Sequence, residues 1–591
     1  MSALKDKYDW NSVKKDRVIV LEKDKKTRKR ERVCRVFVSL SVSAALLAIV
    51  WCRTCIYFET NDDRYIASIL SGAVTGSPDA HVIYMNYLLS LPLSLLYRFT
   101  VEVPWYGGML VLFLWLFWGA VLDSAYTRCR KWTQAFLVTM AAAGVFFAYY
   151  YCAGMIQYTS LAAFLAIGGY VCLLLRQNKK SGFVCFIALE LLSCLLRSQA
   201  MLMIQPMGMA AVVVAMAEDR KKDWKARGRA LFAVAAAAVL VLGVSKAGDF
   251  IGYHGEAWER YWQFNDTRTA MFDFYGTPEY EEISFILEKS GVSREKYEAY
   301  RAYMILDWKI DGATEETLRD YIVNSRKKTF QPGDLLEIGK ISIWGLPWRV
   351  QLVTLIAWGI FLLWGLLGKR WRTLFYGVIF LGGSRMALWS YLVWRERVPL
   401  RVTLPLLACE VFFLLALVWL NWIKIEFVAW KKTFLFMGCL LFFLSCLYTG
   451  GKQSRYVGEV IGNKKIFMKG LDEIRAYCDG CPENRYLLDA NTMSYYTGSV
   501  FDTGQYRPIN AVLGGGWFST SPSVQRRLEE YLGGAPGFYF LIISDGNEEN
   551  TPEFVYLTDV MGGKPKLADQ WTASHGGTYN VYYFEGAFPF S

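Results

Sequence analysis

Long apolar runs recur along this chain, and they constrain its fold more than any other feature. A stretch of about 18 or more apolar residues is long enough to cross the hydrocarbon core of a bilayer as a helix. Inside that core every backbone N–H and C=O has to be satisfied within the segment. Such runs lie at roughly 33–56, 104–124, 133–153, 156–175, 182–198, 199–217, 230–248, 350–367, 373–393, 402–422 and 433–448. Charged residues make up only 20% of the chain and cluster between the runs, the pattern of a polytopic α-helical membrane protein. The first run follows a charged stretch, 1–32, with no small-residue cleavage site after it. It is expected to stay as an anchor.

The net charge of +12 could suit nucleic acid, but its distribution points to a membrane face instead. Lys and Arg crowd the N-terminal tail and recur in the short loops 127–132, 176–180, 218–229, 368–372 and 424–432, as on the cytoplasmic side of a membrane. No nucleic-acid partner is expected. A twelfth apolar segment, 81–99, decides the count. The basic loops all share the tail's side only if this segment does not cross. Asn86, Ser90, Ser94 and Arg98 recur every four residues along it, and Pro92 interrupts it. It therefore reads as a helix lying in the interface. The stretch 64–76 gives a second short amphipathic helix, ending in the Gly72–Gly76 region.

About 11 crossings follow, with the N-terminus cytoplasmic and a basic tail at 1–32. The transmembrane core is expected at 33–448, including a first outer loop at 57–103 and a large aromatic-rich outer loop at 249–345. Residues 449–591 read as an extracytoplasmic α/β domain, with strands at RYLLDA, FYFLIIS and NVYYFE and a helix at SPSVQRRLEEYL. Cys172, Cys185, Cys194 and Cys439 lie in apolar runs as small hydrophobes. Cys478 and Cys481 have no companion pair for zinc.

Two adjacent carboxylates, Asp62 and Asp63, then stand outside, just after the first crossing. This acidic pair, followed by two short interfacial helices, resembles the GT-C superfamily of polytopic membrane glycosyltransferases. Members of that superfamily carry an acidic residue after the first transmembrane helix, often in an Asp-Glu-x-Tyr setting. Here the string is Asp62-Asp63-Arg64-Tyr65. Many members then have His-Pro-Pro; this chain has His81-Val82-Ile83, matching the histidine and lacking both prolines. It is most similar to bacterial membrane proteins sharing an NDD…SGxxTGxPDxH first loop. The resemblance covers roughly 33–450. It implies an inverting glycosyltransferase of the bacterial plasma membrane. Such an enzyme takes a monosaccharide from a polyprenyl-phosphate donor and gives it to an extracytoplasmic glycan or glycopolymer.

The chemistry suits the residues. A carboxylate near an acceptor hydroxyl serves as general base and stabilises oxocarbenium character at the anomeric carbon. Guanidinium groups suit a phosphate leaving group. Asp62 is the expected base or charge stabiliser, and Asp63 supports it or contacts acceptor or metal. Arg197, Arg395, Arg397 and Arg401, in short outer turns, are the candidate phosphate contacts. Tyr65, Asp79 and His81 are candidate acceptor or supporting residues. A divalent cation held among Asp62, Asp63, Asp79 and His81 is a further option.

Plainer readings stand beside these. Asn61-Asp62-Asp63 suits a helix N-terminus. Arg197 lies seven residues from Glu190 and could pair with it. Glu410 could neutralise an arginine across the bundle, and Arg395, Arg397 and Arg401 could snorkel to head groups. The segment Gly514–Pro522 lacks the context of a nucleotide site and reads as a loop over the site's mouth. A transporter or lipid flippase, or a non-catalytic envelope-assembly protein, are the alternatives to an enzyme.

Overall fold

The computed structural model describes residues 10–176, 180–217, 223–327, 331–344, 348–422, 429–544 and 546–590. Much of the basic loops 176–180, 218–229 and 424–432 lies outside the described residues.

Each of the eleven apolar runs forms helix. Eight helices among the described residues are long and apolar enough to cross a membrane, and the chain is a polytopic helical membrane protein. One of them, Lys180–Ala217, is two helices joined at a kink. Arg197 leaves the helical backbone at φ −162°, ψ 100°. Gln205 Nε2 donates to Glu190 Oε2 at 3.0 Å although 15 positions separate them, a span of about 22 Å in a straight helix. The two halves therefore lie side by side, with Arg197 at the bend.

The first outer loop carries two short helices. The first, Asn61–Ser71, stops at Gly72, whose φ of 85° is glycine territory. A Cβ at Gly72 would sit 2.5 Å from the Ser77 backbone. The second, Tyr87–Phe99, is capped by Asn86, which accepts from Leu88 N. The Asn86 side-chain amide also donates to Ser245 O and Asp249 Oδ1 at 2.6 and 2.7 Å. Ser90 and Ser94 face inward, whereas Leu88, Leu95 and Phe99 are exposed. The polar stripe thus meets protein and the apolar face is left for lipid; Arg98, counted in the stripe, is exposed.

The last apolar helix continues without a break as Ala429–Gly480, through position 449 and on into the C-terminal region. There a five-stranded sheet has the order Val512–Leu513, Tyr486–Leu488, Gly537–Ser544, Thr578–Glu585, Lys566–Thr572. The first three strands are parallel and the last two antiparallel. The expected helix is Pro522–Leu532.

This region is seated on the first outer loop through backbone contacts. Phe58 N donates to Gly498 O and Val500 N to Ile56 O, at 3.2 and 3.1 Å. The buried Arg64 guanidinium donates to Met493 O and Tyr496 O. Contact is closest at Gly107, where a Cβ would fall 2.0 Å from Val500 O. Gly108 next to it has nothing within 4 Å. Gly107→Ala should therefore cost about 1–3 kcal/mol by overpacking, while Gly108→Ala, in the same helix, should be neutral or slightly stabilising. Thermal unfolding of the two variants in detergent checks this; equal melting temperatures would contradict the seating.

Candidate active site

Thr60 precedes the first turn of Asn61–Ser71 and makes no side-chain capping bond, so Asp62 and Asp63 both lie inside the helix and point apart. Asp63 is fully buried. Its Oδ1 accepts from Tyr106 Oη at 2.8 Å and from the Tyr158 backbone N–H at 3.2 Å. Thr60 Oγ1 donates to Oδ2 at 3.4 Å. Burial, first, and the charges of Asp62 and Glu59 push its carboxyl well above the ordinary value.

Asp62 is different. It is half-buried and, among the described residues, has no hydrogen bond or ion pair. Burial raises its pKa, opposed by Arg401, Arg197 and Arg268 and helped by Asp273. The Arg401 guanidinium likewise has no polar partner among the described residues. Arg197, at the bend between its two helices, lies over the rings of Tyr84 and Tyr158 at 4.9 and 5.7 Å and reaches the Tyr84 carbonyl at 3.4 Å. It does not pair with Glu190, which takes Gln205 instead; the bend turns Arg197 off the face that the seven-residue spacing implied.

Arg397 and Arg395 meet the large outer loop. Arg397 Nη2 donates to Asp273 Oδ1 at 3.3 Å, Arg395 Nη1 donates to Tyr275 Oη at 3.1 Å, and both guanidinium groups lie 4.7 Å from the Phe274 ring. Glu396 between them has φ 52°, a strained turn that sets two arginines on one side. These side chains have protein partners, which goes beyond snorkelling to head groups.

Asp79 and His81 form their own pair. Asp79 accepts from the His81 backbone and faces its Nδ1, while Ser523 donates to its other oxygen. His81 Nε2 lies 3.1 Å from Gly252 O and its ring stacks on Trp258. Among the described residues no three His, Cys, Asp or Glu side chains converge to hold a metal ion. Tyr65 is buried against Phe518. The loop Gly514–Pro522 reaches the site through Trp517, whose ring packs 4.6 Å from Tyr84.

Several site residues were invisible to sequence reasoning. Arg268 and Asp273 come from the large loop 249–345, and no spacing there announces them. Glu59 carried a better signal, lying three residues before Asp62. It accepts from Tyr151 Oη at 3.1 Å; burial raises its pKa, against the pull of Arg401 and Lys464. Lys464, from the long last helix, donates to Phe58 O and Glu59 O.

No protein-family model matches the chain, and no curated protein does. Among solved structures the chain is similar to ArnT from Cupriavidus metallidurans bound to undecaprenyl phosphate. Sequence identity is 12%, the alignment covers 92% of this chain and 97% of that one, and the TM-score is 0.36.

The two carboxylates make opposite demands on a variant. Asn at position 63 keeps the acceptor oxygen for Tyr106 and Tyr158, whereas Ala leaves two buried donors unpaired, at about 1–3 kcal/mol each. The Asp63 pKa is raised in the fold, so the folded state binds the extra proton. Its stability contribution is full below the unfolded value of 3.8 and is lost as pH rises through the folded value. Asp63→Asn should thus fold and show a flatter fall of melting temperature with rising pH, and Asp63→Ala should be destabilised at every pH. Melting curves across the pH range check both.

Proposed function

We propose that this protein transfers a monosaccharide from a polyprenyl-phosphate carrier to a hydroxyl of an extracytoplasmic glycan or glycopolymer. One observation carries the reading: Asp62, an unpartnered half-buried carboxylate, lies in the field of three arginines without being ion-paired to any of them. A purely structural acid would be mated, because an unpaired buried charge is costly. An acid kept unmated beside the free Arg401 guanidinium suits a ligand that brings its own proton and its own anion.

In the reaction, Asp62 takes the proton of the acceptor hydroxyl as its oxygen attacks the anomeric carbon. The raised pKa of Asp62 brings it toward the range useful for a base. The new C–O bond forms on one face while the bond to the phosphate oxygen breaks on the other, so the anomeric centre inverts. The electron pair leaves on the phosphate, and Arg401 and Arg197 receive that charge with N–H donors already in place. Asp63 touches no reactant; it positions Asp62 by fixing the helix on Tyr106 and Tyr158. Glu59, beside Arg401, and Tyr65, on the same helix and packed on Phe518, support the pocket. The donor head would lie at the outer bilayer surface, and the C-terminal region, with Trp517 over Tyr84, would face the acceptor.

The test is turnover of a panel of undecaprenyl-phosphate sugars by purified protein, scored with donor binding in the same samples. Asp62→Asn should bind donor and lose turnover by about 100-fold or more, the contribution of a positioned acid–base group. Arg401→Gln should weaken donor binding as well. Full activity of Asp62→Asn would remove the carboxylate from the chemistry. Failure of every donor to bind would leave transport or envelope assembly as the better reading.

A further inference from the structure

Residues Thr269–Tyr275 form a π-helical turn, a rare geometry that concentrates at functional sites. It ends at Gly276, whose φ of 79° and ψ of 155° are open to glycine alone. The turn lays three successive side chains on the arginines of 395–397: Asp273 on Arg397, Phe274 beneath both guanidinium groups, and Tyr275 on Arg395. The Asp273 carboxylate divides itself between two arginines. Oδ1 is 3.3 Å from Arg397 Nη2 and Oδ2 is 3.8 Å from Arg268 Nη2.

These pairs are unequal in burial. The Arg268 side chain is 4% exposed, and Asp273 and Arg397 are about a third exposed, at 33% and 32%. Arg268 is held by Asn265, Thr269 and Tyr84 Oη, so its position does not depend on Asp273. What Asp273 supplies is negative charge, at long contact distances, between two fixed guanidinium groups. A carboxylate set between two guanidinium groups occupies the place a phosphate oxygen pair would take. Neither Arg197 nor Arg401, which face Asp62, is ion-paired to a carboxylate among the described residues.

We propose that Arg268 and Arg397 form a phosphate subsite whose internal occupant is Asp273, and that the phosphate of the lipid donor displaces this carboxylate and frees the 269–275 turn. The inference rests on the donor reading above. It adds Arg268 to the phosphate contacts and makes Asp273 a residue that sets donor affinity by competing for them. The donor's phosphodiester matches the carboxylate in charge and in free oxygens, so it can take the same place between the guanidinium groups, and the sugar-free monoester, with up to two charges and three free oxygens, competes more strongly still. Phe274 and Tyr275 move with Asp273 because they share its turn, and Gly276 absorbs the rotation.

Undecaprenyl phosphate without a sugar is the probe, titrated into the full chain in nanodiscs. An affinity penalty scales with the fraction of time the competitor is seated, so Asp273→Asn should bind about tenfold more tightly than wild type. Loss of one negative charge could strengthen binding through its field alone, and backbone hydrogen exchange separates the two causes. On saturation of the wild type with lipid, amides of residues 270–276 should exchange about tenfold faster, because the turn is released. Unchanged or weaker binding by Asp273→Asn overturns the proposal, as does unchanged or slower exchange in that segment. Should neither protein bind the lipid, the donor reading falls and takes this proposal with it. If wild type binds and Asp273→Asn binds equally, the reading stands and the proposal alone fails.

Discussion

The end of the molecule that carries the C-terminal region is organised around one buried acceptor, the Asp63 carboxylate. Its Oδ1 receives the Tyr106 hydroxyl from the start of one apolar helix and the Tyr158 amide from the start of another. The helix Asn61–Ser71 is thereby fixed to both. The same helix turns Arg64 toward the C-terminal region, where it closes two backbone carbonyls. Three parts of the chain distant in sequence therefore share a short helix as their common piece. The orientation of Asp62 follows, because one position along a helix rotates the side chain by about 100°. When Asp63 is driven inward, Asp62 is driven toward the arginines.

The way charges are mated elsewhere makes Asp62 distinctive. Asp123, inside the bundle, is paired with both Arg35 and Arg176. Glu410 is paired with Arg385 and receives the Trp358 indole N–H at 2.8 Å, the cross-bundle arginine that its place in an apolar run called for. These pairs follow the ordinary rule that a charge removed from water is compensated. At the outer site the fold brings a carboxylate and three guanidinium groups into one region and leaves Asp62 and Arg401 uncombined. Asp62 and Arg401 differ from these pairs in standing near each other without combining.

Much of the framework was legible because bilayer constraints are strong. Run length gave the helices, and the polar stripe of 81–99 marked a short helix, Tyr87–Phe99, of 13 residues with its serines turned inward. Three strands of the C-terminal sheet and the helix Pro522–Leu532 read correctly from alternation and turn residues, whereas Val512–Leu513, Lys566–Thr572 and the helix Pro552–Met561 were missed. The local motif singled out Asp62 as the candidate. What could not be read was anything depending on distant chain segments meeting. The Arg197 bend defeated a face argument that assumes a continuous helix. Asp79 and His81 look like members of one acidic cluster in sequence, yet they pair with each other and with Ser523. Arg268 and Asp273 sit five residues apart in an aromatic loop, and only the π-helical turn sets Asp273 between Arg268 and Arg397.

The central claim is that a lipid-linked phosphate binds where Asp62 faces Arg401 and Arg197. A structure determined with undecaprenyl phosphate in a lipid nanodisc tests it most directly. The account predicts density for the phosphate within hydrogen-bonding distance of Arg401 and Arg197, on the same side of the helix as the Asp62 carboxylate, with the isoprenoid running down into the bilayer. Lipid phosphate bound on another face of the bundle, with Asp62 and Arg401 still bare, would contradict it.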